Sequence, residues 1–162
     1  MVGGTIGVIL LGTFSFFYYY IGKDEGSCFA SSESNVPVIS SVADASDVSG
    51  MFHFAAAFFA FMMLFDTLRG FAIGCLCCRP SEGFSKGLKL ASLLGVVPII
   101  FIHIFRLMHV GKVCSGDYRV GKETEGYLII KGQVFWVIIV VFWCIVGLAF
   151  LAGLGTMIFR RK

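Results

Sequence analysis

Four long apolar stretches, at residues 2–21, 51–73, 88–110 and 134–159, alternate with three polar connections at 23–50, 74–87 and 111–132. Each stretch approaches or exceeds the roughly 20 residues a helix needs to cross a hydrocarbon core of about 30 Å. Lipid offers no partners to backbone amides, so such stretches must be helices that satisfy themselves. The pattern therefore predicts an all-α fold, an antiparallel bundle of four transmembrane helices forming one domain over residues 1–162. Pro98 stands at the centre of the third stretch, where it removes a backbone donor and predicts a kink. Pro80 and Gly83 keep the second and third helices from merging, and Pro37 argues against a regular helix in the first connection. No Lys or Arg precedes the first stretch, and it is longer than a leader core of about 7–15 residues. It is expected to be retained rather than cleaved near Cys28-Phe29-Ala30.

Composition strengthens this picture. Of 162 residues, 57% are hydrophobic and 14% charged, against about a half and a quarter in soluble domains. Four spans and short connections leave no separate soluble domain, so an enzyme with a water-filled cleft is not expected. The net charge of +3, scattered over short connections, argues against nucleic acid as a partner. Arg79, Lys86 and Lys89 around the short hairpin join Arg160, Arg161 and Lys162 at the end. Basic residues near span ends resist translocation. The hairpin and both termini are therefore expected on the inner, cytoplasmic-type side, with 23–50 and 111–132 outside. The first outer connection is acidic, holding Asp24, Glu25, Glu33, Asp44 and Asp47 against Lys23.

The cysteines divide by side. Cys28 and Cys114 lie one in each outer connection, where an oxidising compartment would let them close a disulfide. Cys75, Cys77 and Cys78 cluster at the inner end of the second helix, beside basic residues, and juxtamembrane cysteines are sites of S-palmitoylation. Zinc is the weaker reading of that cluster, because Cys75 and Cys78 lack a matching pair of ligands on the same side.

Ionisable residues within spans are expensive, by about 2.5–3.5 kcal/mol on insertion scales, and so are functional candidates. His53 near the outer start of the second helix falls at a depth similar to that of Arg106 and His109 near the outer end of the third. His103 lies a turn deeper. Three readings are open for this polar cluster. The four side chains bond to Tyr18–Tyr20 and loop carbonyls at the interface; they contact a partner subunit or lipid headgroup; or His53 and His103 or His109 hold a b-type haem. Asp66 and Arg69, three apart near the inner end of the second helix, are expected to pair. Gly3 with Gly7, Ala56 with Ala60 and Ala149 with Gly153 have the small-xxx-small spacing that lets helices approach closely.

The layout as a whole resembles the tetraspan membrane proteins, and among them the MARVEL-type vesicle and junction proteins, in architecture. The features that carry the resemblance are inner termini, a cysteine in each outer connection, a short basic hairpin and a cysteine cluster beside a span. Residues 23–50 lack the W-G-L-W stretch and paired cysteines of claudins, no C-C-G motif of tetraspanins is present, and the outer connections lack the several cysteines of connexin-like channels. No functional residue is carried over. The resemblance and the composition together imply a non-catalytic subunit or scaffold, packing with lipids and other integral membrane proteins as a homo- or hetero-oligomer. The alternatives are a pore or transporter subunit using His53, His103 and Arg106, and a haem-bearing electron carrier. The plasma membrane or an endomembrane is expected, with an organellar inner membrane as the other placement.

Overall fold

The computed structural model describes residues 2–38, 44–75, 95–121 and 125–160. The chain is mostly helical. Helix α1 (Val2–Ser15) passes without a break into a π-helical turn at Phe16–Tyr20 and a 3-10 turn at Ile21–Asp24. Helix α2 (Val48–Cys75) is followed, beyond the hairpin, by α3 (Val96–Leu107), the short α4 (His109–Cys114) and the long α5 (Ile129–Arg160). Two short strands, β1 (Phe29–Ala30) and β2 (Ser46–Asp47), pair antiparallel, and Phe29 also bridges to Val38.

Two helices among the described residues, Val48–Phe71 and Ile129–Leu154, are long and apolar enough to cross a membrane. Only 28% and 17% of their most apolar windows are buried, whereas the core helix of a soluble protein would be mostly enclosed. α1 and α2 run antiparallel, because Gly7 meets Thr67, Phe14 meets Phe59 and Tyr18 meets His53. At Gly7 an added Cβ would collide with the Thr67 hydroxyl, so the glycine permits the close approach expected of a small residue at a helix contact. Ala56 is fully buried and Ala60 packs beside it, while Ala149 is exposed. Gly3 lies in the α1 backbone.

The element bounds differ from the sequence expectation in three places, each with a local cause. The third apolar stretch is not one helix to residue 110. It breaks at Met108, whose ψ of 152° leaves the helical region, and resumes as α4 at a new angle. The last helix begins at Ile129, five positions before the expected start, because a side chain from another part of the chain caps its first turn. α2 begins at Val48, where the Asp47 carboxylate accepts a 2.9 Å hydrogen bond from the Gly50 N–H, a standard use of Asp before a helix. The inner hairpin, with Cys77 and Cys78, lies outside the described residues, and Cys75 closes the α2 backbone.

Burial is concentrated at one end. Tyr18, Phe52, Phe135, Ile102, Leu128, Val48 and Val113 are fully enclosed there. Towards the other end the apolar side chains of α5, among them Ile145, Leu148, Phe150 and Leu151, are exposed.

Candidate functional site

The enclosed end is a cap in which both polar connections are tied to the helices. Cys28 and Cys114 form a disulfide with their Cα atoms 6.0 Å apart, linking positions 86 residues distant. Both cysteines are buried. Their backbone carbonyls are equally used. The Cys28 carbonyl accepts from the N–H groups of Val48 and Ser49 at 3.1 and 3.4 Å, and the Cys114 carbonyl from Leu128 N–H at 2.7 Å. The bridge thus fastens together the segments that receive the starts of α2 and α5.

Glu25 completes the seat of α5. Its carboxylate accepts from the backbone N–H of Ile130 and, at 3.1 Å, from that of Lys131. The first N–H groups of a helix have no partner of their own and carry the positive end of the helix dipole, so a carboxylate here does the work of an N-cap. Burial holds the Glu25 carboxyl above its ordinary range, outweighing the two backbone donors and the Lys131 ammonium, which act in the opposite sense.

Arg106 joins three parts of the cap. Its Nε donates to the Gly132 carbonyl at 3.0 Å, and its two terminal nitrogens donate to the Asp117 carboxylate at 2.9 and 2.8 Å. The guanidinium also lies 5.6 Å from the centre of the Trp136 ring. A fork of this kind needs the planar, permanently charged guanidinium. The cation is thereby paired although Arg106 is only 7% exposed.

The histidines go to separate places. His103 Nδ1 lies 2.7 Å from the Ile99 carbonyl, and the Trp143 indole N–H donates to His103 Nε2 at 3.1 Å. Those two contacts assign the proton to Nδ1 and occupy both ring nitrogens. His109 Nε2 lies 3.1 Å from the Ser34 carbonyl, joining α4 to the first connection. His53 rests edge-on against Tyr18. Of the four residues grouped by sequence depth, none bonds to another. A haem iron would have to displace a hydrogen bond to use His103 or His109. No group of three or more His, Cys, Asp or Glu side chains suited to a metal occurs among the described residues. Asp66 and Arg69 meet at 3.5 Å as an i,i+3 pair, both partly exposed.

Sequence reasoning did not single out Glu25, Asp117, Lys131 and Trp136, which carry much of the cap, whereas Tyr18, expected as an interfacial partner of the polar cluster, is fully buried against His53 and Phe135. Asp117 stands eleven positions beyond Arg106, and Glu25 more than a hundred before the helix it caps, so no helical spacing links either to its partner. No known protein family, curated protein or solved structure matches this chain.

Proposed function

We propose that this chain is a non-catalytic, four-span membrane subunit or scaffold, which packs laterally with lipids and other integral membrane proteins. The observation that carries the reading is the contrast between its two ends. One is a cross-linked polar cap whose buried charged groups are held by bonds within the chain. The other presents apolar side chains around most of α5, from Val140 to Leu154, without a single charge. In water such a surface would aggregate; in a bilayer it is the part available to lipid tails and neighbouring helices. Stretches 2–21 and 88–110 supply the remaining two spans of this reading, with both termini on the side opposite the cap. A plasma membrane or endomembrane, where the cap faces an oxidising space, suits the Cys28–Cys114 bridge.

Extraction in a mild detergent followed by native mass analysis tests the proposal. The chain is expected to travel with other membrane chains or with copies of itself. A lone monomer that supports a specific solute flux in reconstituted vesicles would overturn the scaffold reading in favour of a pore. The pore reading requires His53, His103 and Arg106 to face one polar path. Against it stands the engagement of His103 with Trp143 and of Arg106 with Asp117.

A further inference from the structure

We infer that Tyr19, Tyr20, His53, Arg106 and Trp136 form a ring that seats the protein at the headgroup layer on the cap side, with Trp143 in the hydrocarbon below it. The inference rests on the membrane reading proposed above and adds a depth to it. The ring is assembled by short contacts between different helices. Tyr18 stacks on Phe135 with ring centres 5.6 Å apart and meets His53 at 5.7 Å. Tyr19 lies 6.4 Å from His53, and the Arg106 guanidinium 5.6 Å from the Trp136 ring. Contacts this short hold residues 18–20, 53, 106 and 136 at one level along the bundle. Tyr19, Tyr20 and Trp136 are 45%, 73% and 48% exposed at that level, so amphipathic rings point outwards from two separate helices. Tyr and Trp favour the boundary where one end of the ring is wet and the other greasy.

The distribution of charge is an independent sign of the same plane. Lys23, Asp24, Glu25, Asp47, Asp117 and Lys131 all lie on the cap side of it or at it. On the other side, between the ring and Phe71 or Leu154, the described chain of α2 and α5 holds only the Asp66–Arg69 pair. Trp136 to Leu154 and His53 to Phe71 are eighteen positions each, about 27 Å of helix. That length matches a hydrocarbon core of roughly 30 Å. Asp66 and Arg69 then fall near the far boundary, where a paired Arg can reach the headgroups. Trp143, seven positions beyond Trp136, lies roughly 10 Å deeper.

The chain has two tryptophans, so their fluorescence reads this depth directly. The protein and its Trp143→Phe variant, which leaves Trp136 alone, are reconstituted in phosphatidylcholine vesicles carrying bromine either near the glycerol end of the acyl chains or near their tips. Trp136 is expected to be quenched severalfold more by the shallow bromines and to respond to aqueous iodide. The Trp143 signal, obtained as the difference from the unsubstituted protein, is expected to favour the deep bromines and to ignore iodide. A Trp136→Phe variant gives the same signal directly if its cap remains folded. Equal depths, or a deeper Trp136, would overturn the ring while leaving membrane insertion intact. Quenching of both by iodide and by neither bromine would instead remove the membrane reading itself.

Discussion

Glu25 and Lys131 bond to each other's backbones: the Glu25 carboxylate accepts from the Lys131 N–H at 3.1 Å, and the Lys131 ammonium donates to the Glu25 carbonyl at 3.3 Å. The exchange has the reciprocal logic of a capping box, in which each side chain satisfies the other residue's main chain. Here it joins the end of the first helical segment to the beginning of the last. Replacing Glu25 by Ala strips two partly buried N–H groups of their acceptor. The loss is expected to be about 1–2 kcal/mol, as for other helix caps, read as a lower melting temperature in detergent. Glu25→Gln keeps one acceptor oxygen and removes the cost of burying a charge, so it should recover a good part of the loss. A Glu25→Gln protein as unstable as Glu25→Ala would show that the side chain is not acting as a cap.

The same carboxyl sets a pH dependence. Burial raises its folded-state value above the ordinary one near 4.5, so the folded chain binds this proton more tightly than the unfolded chain does. Stability from Glu25 is then greatest at acid pH and falls as pH rises from about 4.5 through the raised value, after which it is flat. Melting temperatures measured between pH 4 and 7 should show a downward slope that is smaller in Glu25→Ala. An identical slope in both proteins would assign the pH response to other groups.

The Cys28–Cys114 bridge closes a separation of 86 residues, for which chain entropy gives a stabilisation of about 4.5 kcal/mol in the fully unfolded reference. On the proposed membrane reading, helices that stay inserted restrict that reference, so the expected loss in Cys28→Ser or Cys114→Ser is smaller, about 2–3 kcal/mol. Because both sulfurs are buried, reductant alone should act slowly on the folded protein and quickly once denaturant is added. Non-reducing mobility and a thiol count check both statements. Fast reduction of the folded protein would contradict an enclosed bridge.

These features were not equally legible in the sequence. The apolar runs announced α2 and α5 because a long, nearly uncharged stretch reads as a helix without reference to any partner. The disulfide could be expected because only one cysteine stood in each outer connection. Asp66 and Arg69 were readable from helical spacing alone. The polar residues near the cap were not, since depth along a helix says nothing about azimuth. His53, His103, Arg106 and His109 share a depth band and yet turn to Tyr18, Trp143, Asp117 and Ser34. The early start of α5 was hidden for a related reason. Lys131 reads as a loop residue until Glu25, supplied from far away, turns its segment into a capped first turn.

Arg106 and Asp117 should behave as a coupled pair. Asp117→Asn leaves a guanidinium that is 7% exposed without its counter-charge, and loss of one partner of a buried pair costs about 3–5 kcal/mol. The Asp117 side chain is 36% exposed, so solvent screening reduces the expected value to about 2 kcal/mol. Arg106→Lys keeps the charge but cannot hold Gly132 and both carboxylate oxygens together, and should be destabilising to a similar degree. In a double-mutant cycle the combined variant is expected to lose clearly less than the sum of the two single changes. Simple additivity would mean that the 2.8 Å contact contributes nothing specific.

Two glycines offer a final contrast between a wall of backbone and open space. At Gly111 an added Cβ would meet the Phe105 carbonyl oxygen, because the chain has just turned at Met108 and α4 folds back over the end of α3. The obstructing atom is main chain and cannot swing aside. Gly111→Ala must therefore open the α3–α4 corner, which also carries Cys114 three positions on, and a loss of about 2–3 kcal/mol is expected. At Gly147 an added Cβ would meet nothing within 4 Å. Gly147→Ala should be neutral or stabilising by up to about 1 kcal/mol through helix propensity. If Gly147 instead seats a neighbouring helix in an assembly, its substitution would leave the melting of the isolated chain unchanged and reduce co-purification of partners. Measuring both quantities on both variants separates a corner that shapes this chain from a surface that meets another.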